Sequence, residues 1–301
     1  MAAAARSLNL SASAVAQQLR VLERELDAPL LIRVGRTVQI TDQGSRILAH
    51  ARALVRDSAG LRSLAHEGSI GGELRLGACS TALIGILPEL MARVGARYPD
   101  IKFHVESANS VQLYTQVLAG GLDAAFVLEA PYPLPKTCEW LLIREEPLIV
   151  LAPRAKANAD PLELLRSEPF IRYNRNKWGG RGPDKYLREH GIQPHERYEV
   201  DMLQAIAVMV DLGMGVSLVP DWSAPWPEGL DIVRLPLPDP RVGRRVGIVW
   251  SRSSVRIKLV STLLDDLRSP RAEGAAAGQQ RQPVERAGRR RKEQARAVAD
   301  R

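Results

Sequence analysis

Apolar and polar positions repeat with two different periods near the start of this chain, and each period predicts an element. A first helix is predicted over residues 2–9, and Ser11 is a good N-cap for a second one. Pro29 ends that helix, and residues 30–41 then alternate apolar and polar around Gly35, which predicts a short two-stranded hairpin. The apolar stripe of the second helix, at helical spacing, comprises Val15, Leu19, Leu22 and Leu26.

A longer helix is predicted from Thr41 to Glu67, with Asp42 near its start and Gly68 after its end. Its apolar and small residues alternate steps of four and three, which is the heptad spacing of a coiled-coil seam. This spacing favours a homodimer or homotetramer, although a helix packed on its own domain is the alternative. The seam comprises Ile47, Ala51, Leu54, Ser58, Leu61 and Ala65.

From Gly71 onward, predicted strands alternate with predicted helices, which indicates an α/β domain with a parallel sheet. One set of elements begins near Gly71 and a similar set begins near Pro161. We therefore expect two lobes, as in hinged small-molecule receptors: lobe 1 over residues 71–150 and 245–268, and lobe 2 over 151–244. The predicted strands are ELRLGAC, IKFHVES, LDAAFVL, FIRYN, RYEV, GVSLVP and RRVGIVWSR.

Composition narrows the class of protein. The chain has 301 residues, of which 45% are apolar and 25% charged, and no apolar run approaches the ~20 residues of a membrane span. The small-residue start lacks the apolar core of a secretory signal, so a cytoplasmic protein without membrane contact is expected. Cys79 and Cys138 are interpreted as buried structural thiols because they lie far apart on predicted strands; a redox pair is the alternative.

The net charge of +8 is unevenly distributed. The basic excess lies in residues 1–70 and from Pro270 onward, whereas the stretch between them is neutral. Such basic ends indicate a nucleic acid partner. The tail over residues 269–301 has almost no large apolar residues, so we expect it to be disordered; its RRRK run at 289–292 either contacts phosphates or is a solvated charge run.

These elements, in this order, resemble the LysR-type transcriptional regulators over residues 1–268. The resemblance is carried by the serine-started helix, its LE pair followed by a leucine, the wing arginine, the ITDQG element at 40–44 and the LGMGVSLVP turn into a strand. It implies a winged helix-turn-helix over residues 1–44, a linker helix over 41–68 and a two-lobed periplasmic-binding-protein-like α/β effector domain over 71–268.

The function that the resemblance implies is a DNA-binding regulator that senses a small molecule. Its partners would be double-stranded DNA, an effector for which an anion is one expectation, a second copy of the chain and RNA polymerase. The alternative is a solute-binding protein of the same two-lobed fold. A transport receptor would need a secretion signal and would have no use for residues 8–44, which favours the regulator.

The chain departs from the family pattern in ways that affect DNA recognition. Ala12 and Ala16 stand where the family often has glutamine and a second serine or threonine, and Ala12 cannot hydrogen-bond a base edge. Asp27, Ala28 and Ile32 also differ from the usual residues. Family members begin with a further helix that packs under the recognition helix. We expect a misassigned start; a version impaired in DNA binding is the alternative.

The predicted DNA-contacting residues follow from the resemblance, because a recognition helix points its N-terminal turns into the major groove. Arg33 and Arg36 flank the wing turn and would meet phosphates or the minor groove. A solvated polar face and ordinary surface arginines are the alternatives. The predicted helix contacts are Ser11, Ser13, Ala14, Gln17, Gln18 and Arg20.

Ser80 and Thr81 follow a predicted strand and precede a helix, so their hydroxyls and free backbone N–H groups would face the cleft between the lobes. Simple helix capping is the alternative. Some relatives clamp an acid with an arginine after the third strand, whereas this chain has Leu128 and Glu129, which argues against a dicarboxylate held in that way. The other effector contacts implied by the resemblance are Asn109, Arg172, Tyr173, Asn174 and Met202.

The sequence gives little support for an enzymatic function. WGGRG at 178–182 lacks the lysine and spacing of a phosphate-binding loop and is interpreted as a mobile loop. The five histidines form no metal-ligand pattern with the cysteines, and no Ser/His/Asp set has a supporting context. We therefore expect a protein that is not an enzyme and has neither a cofactor nor a metal.

Overall fold

The N-terminal region forms two short helices, a hairpin and a long helix. The computed structural model describes residues 2–35, 37–64, 70–222, 224–239 and 242–269. The first elements are α1 (Ala2–Ser7), α2 (Ala12–Glu25), β1 (Leu31–Val34), β2 (Thr37–Ile40) and α3 (Asp42–Leu64). Strands β1 and β2 pair antiparallel from Leu31 opposite Ile40 to Val34 opposite Thr37. The predicted order of helices and hairpin is therefore confirmed.

Local signals explain both ends of α2. The Ser11 hydroxyl accepts a hydrogen bond from the Ala14 backbone N–H at 3.1 Å, which satisfies one free donor of the first turn. At the other end, Asp27 adopts a positive φ of 46°, so the chain has already left the helical conformation before Pro29. The apolar stripe predicted on this helix is only partly covered, since Leu22 and Leu26 are exposed.

Helix α3 begins at Asp42, one residue after the predicted start. Leu54 is 69% exposed and its neighbour Val55 is 71% exposed, so apolar side chains of this helix face solvent. The predicted helix end at Glu67 and the seam residue Ala65 lie outside the described residues. The seam itself stays a prediction.

The α/β region contains nine strands and seven α-helices in the part of the chain that the structure describes. Its elements are β3 (Gly72–Ala78), α4 (Ser80–Gly85), α5 (Leu87–Arg97), β4 (Ile101–Ser107), α6 (Ser110–Leu118), β5 (Ala124–Leu128), β6 (Cys138–Pro153), α7 (Pro161–Ser167), β7 (Pro169–Tyr173), α8 (Trp178–Glu189), β8 (His195–Val200), α9 (Leu203–Asp211), β9 (Ser217–Pro220), β10 (Ile232–Pro236), β11 (Gly243–Ser251) and α10 (Ile257–Arg268).

The main sheet is mixed, which corrects the expectation of a parallel sheet. Strands β4, β3 and β5 are parallel, as the alternation of strands and helices predicts. Strand β11, however, is antiparallel to both β5 and β6, and β6 is antiparallel to β9 and β10. The order along this sheet is β10-β6-β11-β5-β3-β4, with β9 also paired to β6, and β7 pairs with β8 separately.

Strand β6 runs from one lobe into the other. Cys138 to Leu142 pair with β11, whereas Ile149 to Pro153 pair with β10. The predicted lobe boundary at residue 150 thus falls inside a continuous strand. Because β11 pairs with β6 from Cys138 to Pro147, two paired strands run between the lobes.

Each lobe has apolar clusters that include alternate residues of one strand. In lobe 1, Phe126 and Leu128 belong to the cluster with α5 and α10, whereas Ala125 and Val127 belong to the cluster with α6. In lobe 2, alternate residues of β6 likewise divide between a cluster with α7 and α8 and a cluster with α9. Helices thus cover both faces of each sheet, as an α/β architecture requires.

Two further expectations concern the chain as a whole. Among the described helices, none is long and apolar enough to cross a membrane. Residues 270–301, which hold nearly all of the predicted disordered tail and its RRRK run, lie outside the described residues.

Candidate functional site

The exposed polar face of α2 is the candidate nucleic-acid interface. Ser13, Gln17 and Arg20 follow one another at steps of four and three, so they lie on one side of the helix, and all three are exposed. Gln18 is also exposed but lies further round the helix, and Ala14 is half-buried.

Arg24 continues this face by one turn, and the sequence prediction missed it. Its Nε donates to the Arg20 carbonyl at 3.4 Å. The i, i+4 spacing from Arg20 was the signal that could have identified it. In the wing, the exposed Arg33 donates from Nε to the Gly35 carbonyl at 3.3 Å. Arg36, the second predicted wing contact, lies outside the described residues.

Glu23 joins α2 to the β1–β2 hairpin, which is the predicted wing. One of its carboxylate oxygens accepts the backbone N–H of Leu30 at 2.8 Å and that of Leu31 at 3.1 Å. Both acceptor contacts come from a single side chain on α2, while both donors lie at the start of β1. The glutamate of the LE pair thus fixes where the wing leaves the helix.

The ITDQG element closes the same region from the other side. The Thr41 hydroxyl donates to the Pro29 carbonyl at 2.7 Å, and its oxygen accepts the Gly44 backbone N–H at 2.9 Å. A Cβ on Gly44 would lie only 2.2 Å from the Leu30 carbonyl oxygen, so this position admits only glycine without a shift of the chain. The motif therefore packs the start of α3 against the base of the wing.

The cleft of the α/β domain is the candidate effector site, with a volume of about 500 Å³. Five of the predicted effector residues line it: Ser80 and Thr81 at the start of α4, Asn109 at the N-cap of α6, Tyr173 at the end of β7 and Met202 at the N-cap of α9. Asn109 also caps α6, because its side chain accepts the Gln112 N–H at 3.0 Å. Asn109 therefore both caps α6 and lines the cleft.

Two predicted effector residues do not line the cleft, and this corrects the prediction. Arg172 precedes Tyr173 in β7, and neighbouring residues of a strand face opposite sides. Its guanidinium is held instead by Asp184, with Nη1 to Oδ1 at 2.9 Å, and by Glu196. Asn174 turns its side chain along the chain, where Oδ1 accepts the Asn176 N–H at 2.9 Å.

WGGRG forms the first turns of α8, so the expectation of a mobile loop was wrong. Trp178 and Gly179 both line the cleft. A Cβ on Gly179 would lie 2.5 Å from the Tyr173 hydroxyl, and the glycine therefore lets the helix approach this tyrosine closely. The predicted helix in this region started only near Asp184, because two glycines and Pro183 weaken the helical pattern.

Arg244, which the sequence prediction missed, lies at the base of the cleft. It belongs to β11, and its side chain is 10% exposed. Its Nε donates to Oε2 of the buried Glu146 at 2.7 Å, and Nη2 forms an ion pair with the same oxygen at 2.7 Å. Nη2 also donates to the Thr81 hydroxyl at 3.1 Å. Arg244 also lies close to Tyr173, which lines the same cleft. One guanidinium on β11 therefore connects Glu146 of the paired strand β6 with Thr81 of lobe 1.

Burial and charge set the protonation of this cluster. Burial opposes the charge of Arg244, but the attraction of Glu146 raises the pKa of the guanidinium above its ordinary value. Burial also raises the pKa of the Tyr173 phenol, although Arg244 acts in the opposite direction. At neutral pH the cluster thus holds a charged guanidinium and a neutral phenol that retains its proton.

The cleft is also lined by an ion pair and by a cysteine. Lys177 and Asp201 line it as an ion pair at 3.7 Å, with both side chains largely exposed. Cys79 is half-buried and lines the cleft, which corrects its interpretation as a buried thiol, whereas Cys138 is buried as expected. In the described part of the chain, no group of three or more His, Cys, Asp or Glu residues is arranged to hold a metal ion.

Together, the helix-turn-helix with its wing and the two-lobed domain with its polar cleft define a DNA-binding protein with a small-molecule sensor. Residues 1–45 match the bacterial regulatory helix-turn-helix protein family of the lysR type, and residues 67–270 match the LysR substrate binding domain family. The chain belongs to the LysR family of transcriptional regulators.

Individual relatives agree with this assignment. The HTH-type transcriptional regulator YnfL of Escherichia coli K12, whose function is uncharacterised, is 30% identical over 227 residues, covering 72% of this chain and 75% of that protein. The regulator CysB of Haemophilus influenzae is 28% identical over 228 residues, covering 72% and 69%. The protein is therefore a LysR-type transcriptional regulator with an effector-binding domain.

Solved structures support the fold. A full-length OxyR variant from Pseudomonas aeruginosa superposes with a TM-score of 0.66 at 25% identity, covering 89% of both chains. Full-length CbnR in complex with its target DNA gives a TM-score of 0.63 at 22% identity, covering 89% of this chain and 93% of that one.

Proposed function

We propose that this regulator reads double-stranded DNA with the exposed face of α2 and holds the DNA backbone with the wing. The observation that carries the proposal is the face formed by Ser13, Gln17 and Arg20 directly behind a capped helix start. Glutamine can pair with adenine and arginine with guanine in the major groove, and each such contact contributes about 1–3 kcal/mol of discrimination. Arg33 would contact phosphate.

The remaining predicted DNA contacts have supporting roles in this proposal. Ser11 and Ala14 lie in the first turn of α2, where the positive end of the helix attracts a phosphate. Gln18 and Arg24 flank the reading face. Arg36 would extend the wing contact begun by Arg33, on the strength of the sequence alone.

Selection from a random pool of duplexes tests this proposal without a known target. Gel-shift titration of an enriched duplex is then repeated with Gln17→Ala, Arg20→Ala and Arg33→Ala. Arg166→Ala, at an exposed arginine on α7, is the control. We expect Gln17→Ala to lose discrimination, and Arg33→Ala to weaken all duplexes and lower the salt dependence by about one released counterion. Wild-type affinity and discrimination in both α2 variants would contradict the proposed reading face.

We further propose that the cleft binds the small-molecule effector. Ser80, Thr81, Asn109, Tyr173 and Met202 surround a volume of about 500 Å³, which is within the range of small-molecule sites. Hydroxyl and amide groups from both lobes converge on this space. A ligand that contacts both lobes would favour their closed arrangement, because only that arrangement supplies all of its contacts.

The proposal also covers the oligomeric state of the protein and the compartment in which it acts. The exposed apolar side chains of α3 support a homodimer or homotetramer through that helix, with two DNA-binding domains brought together. A regulator of this kind would act in the cytoplasm beside RNA polymerase, and it would need no catalytic activity.

A further inference from the structure

Trp178 is the first residue of α8, and the two glycines that follow it fix its backbone to lobe 2. A Cβ on Gly179 would lie 2.5 Å from the Tyr173 hydroxyl. A Cβ on Gly180 would overlap the Asn174 carbonyl oxygen, which is a backbone atom and has little room to move. The first turn of α8 therefore packs directly on the end of β7. This packing holds the backbone of Trp178 in place relative to lobe 2.

The indole of Trp178, in contrast, packs against two tyrosines of lobe 1. Its ring centroid lies 5.5 Å from that of Tyr114 with the ring planes tilted by 54°, and 5.7 Å from that of Tyr132 with the planes at 83°. Both distances are within the range of about 4.5–7 Å at which aromatic rings attract one another. The indole also contacts the apolar cluster of lobe 1 that contains Tyr114. A residue carried by lobe 2 thus completes an aromatic group in lobe 1.

The positions of both tyrosines are set mainly by lobe 1 itself. Tyr114 is buried on α6, inside that apolar cluster. Tyr132 is half-exposed in the segment between β5 and β6, where Pro131 and Pro133 flank it. Proline fixes its own φ and restricts the residue before it, so the backbone of Tyr132 has little freedom. Two rigidly held groups, one on each lobe, therefore meet at Trp178.

The strands that join the lobes have an irregularity at which they can bend. The register between β6 and β11 shifts between Val246 and Gly247. Val246 lies opposite Arg144. The next residue, Gly247, lies opposite Leu142, so β6 has one extra residue at this point. Such a bulge leaves a residue unpaired and bends the strand locally. Contacts between the lobes outside these strands therefore help to fix the angle between them.

We propose that Trp178 latches the two lobes together: its indole, carried by lobe 2, seats against Tyr114 and Tyr132 of lobe 1 and so sets the width of the cleft. Trp178 also lines the cleft, so release of the indole would widen it directly. The regulatory meaning of the latch rests on the proposed role of the cleft as the effector site. An occupant that fits beneath the seated indole would stabilise the latch, and one that displaces the indole would release it.

Distances between spin labels on the two lobes test the latch in the full chain without any ligand. The labels are attached to cysteines introduced as Leu118→Cys on α6 and Leu212→Cys at the end of α9, both exposed positions outside the cleft lining. The native cysteines are replaced, as Cys79→Ser and Cys138→Ala, so that they take up no label. Labelled chains are mixed with an excess of unlabelled chains, so that only distances within one chain are measured.

We expect Trp178→Ala to lower the ratio of latched to unlatched chains about tenfold, because two aromatic contacts are lost. The distance distribution should therefore broaden and gain a second population. Trp178→Phe retains a ring and should stay closer to the wild type. The control is Trp226→Ala, which removes an indole that stacks on Trp222 within lobe 2 at 3.6 Å between ring centroids. This control should leave the distribution unchanged even where it lowers Tm.

Tyr132→Ala tests the same latch from lobe 1 at a half-exposed position where misfolding is not expected. It should shift the distribution in the same direction as Trp178→Ala, and the double variant should shift it little further than Trp178→Ala alone, because both changes break one contact. An unchanged distribution in Trp178→Ala and Tyr132→Ala would overturn the latch. Equal shifts in Trp178→Ala and Trp226→Ala would also overturn it, since general destabilisation would then explain both.

The outcome of this measurement is independent of whether the cleft binds an effector. Failure to find any ligand for the cleft would contradict the proposed effector site and leave the latch intact. An unchanged distance distribution would contradict the latch and leave the proposed effector site intact.

Discussion

The contact of Glu23 with the wing gives a quantitative prediction. Glu23→Ala removes the acceptor of two backbone N–H groups, those of Leu30 and Leu31. The Leu30 residue is only 6% exposed, so water replaces the lost acceptor poorly at that position. The substitution leaves the apolar contacts of the region intact, which confines its effect to the junction between α2 and β1.

The expected cost follows from the two hydrogen bonds. Bonds to charged groups contribute about 1.5–3 kcal/mol each, but Glu23 is half-exposed and part of that loss is recovered by hydration. Alanine also favours the helix slightly more than glutamate does. A net cost of about 2 kcal/mol for opening the junction is expected. Glu23→Gln keeps one neutral acceptor and should cost about half as much.

Hydrogen exchange followed by mass spectrometry measures this junction directly. An opening cost lowered by about 2 kcal/mol accelerates exchange of the Leu30 and Leu31 amides about thirtyfold. Glu25→Ala, at an exposed position of the same helix, is the control. Equal exchange at these amides in Glu23→Ala and Glu25→Ala would refute the assigned role of Glu23. Affinity for a selected duplex should fall in Glu23→Ala alone, because the wing would lose its fixed position.

Three further predictions address other regions. Leu54→Asp places a charge on the exposed seam, so light scattering should show dissociation to monomers; an unchanged mass would contradict the seam. Gly44→Ala forces a Cβ to within 2.2 Å of the Leu30 carbonyl oxygen, so DNA affinity should drop, and wild-type affinity would argue against the packing role of the ITDQG element. The hydrogen bond from Arg172 holds the pKa of Glu196 below its usual 4.5, so the charged carboxylate stabilises the fold above about that pH. This contribution is lost as the pH falls through the lowered pKa, so the difference in Tm between wild type and Glu196→Gln should shrink in acid. A difference in Tm that stays constant with pH would contradict this ion pair.

The cleft shows where sequence-based prediction succeeded and where it failed. Ser80 and Thr81 were placed at the cleft because they follow a predicted strand and precede a helix, and Asn109 was placed there by the family resemblance. Arg172 was misplaced because one strand of five residues does not reveal which alternate side faces the cleft. Tyr173, its neighbour, takes that side, and Arg172 forms ion pairs with Asp184 and Glu196 instead.

The sequence by itself determined the local elements of this protein. Ser11 caps α2, the alternation around Gly35 forms the wing, and the Thr41 and Gly44 contacts close it, because each of these signals acts between residues near one another in the chain. Only the tertiary structure decided the base of the cleft. Strands β6 and β11 pair across about a hundred residues of chain, as the contact between Glu146 and Arg244 illustrates. No local pattern encodes such a pairing, so the buried guanidinium that joins Thr81 and Glu146 emerged only when the strands were brought together.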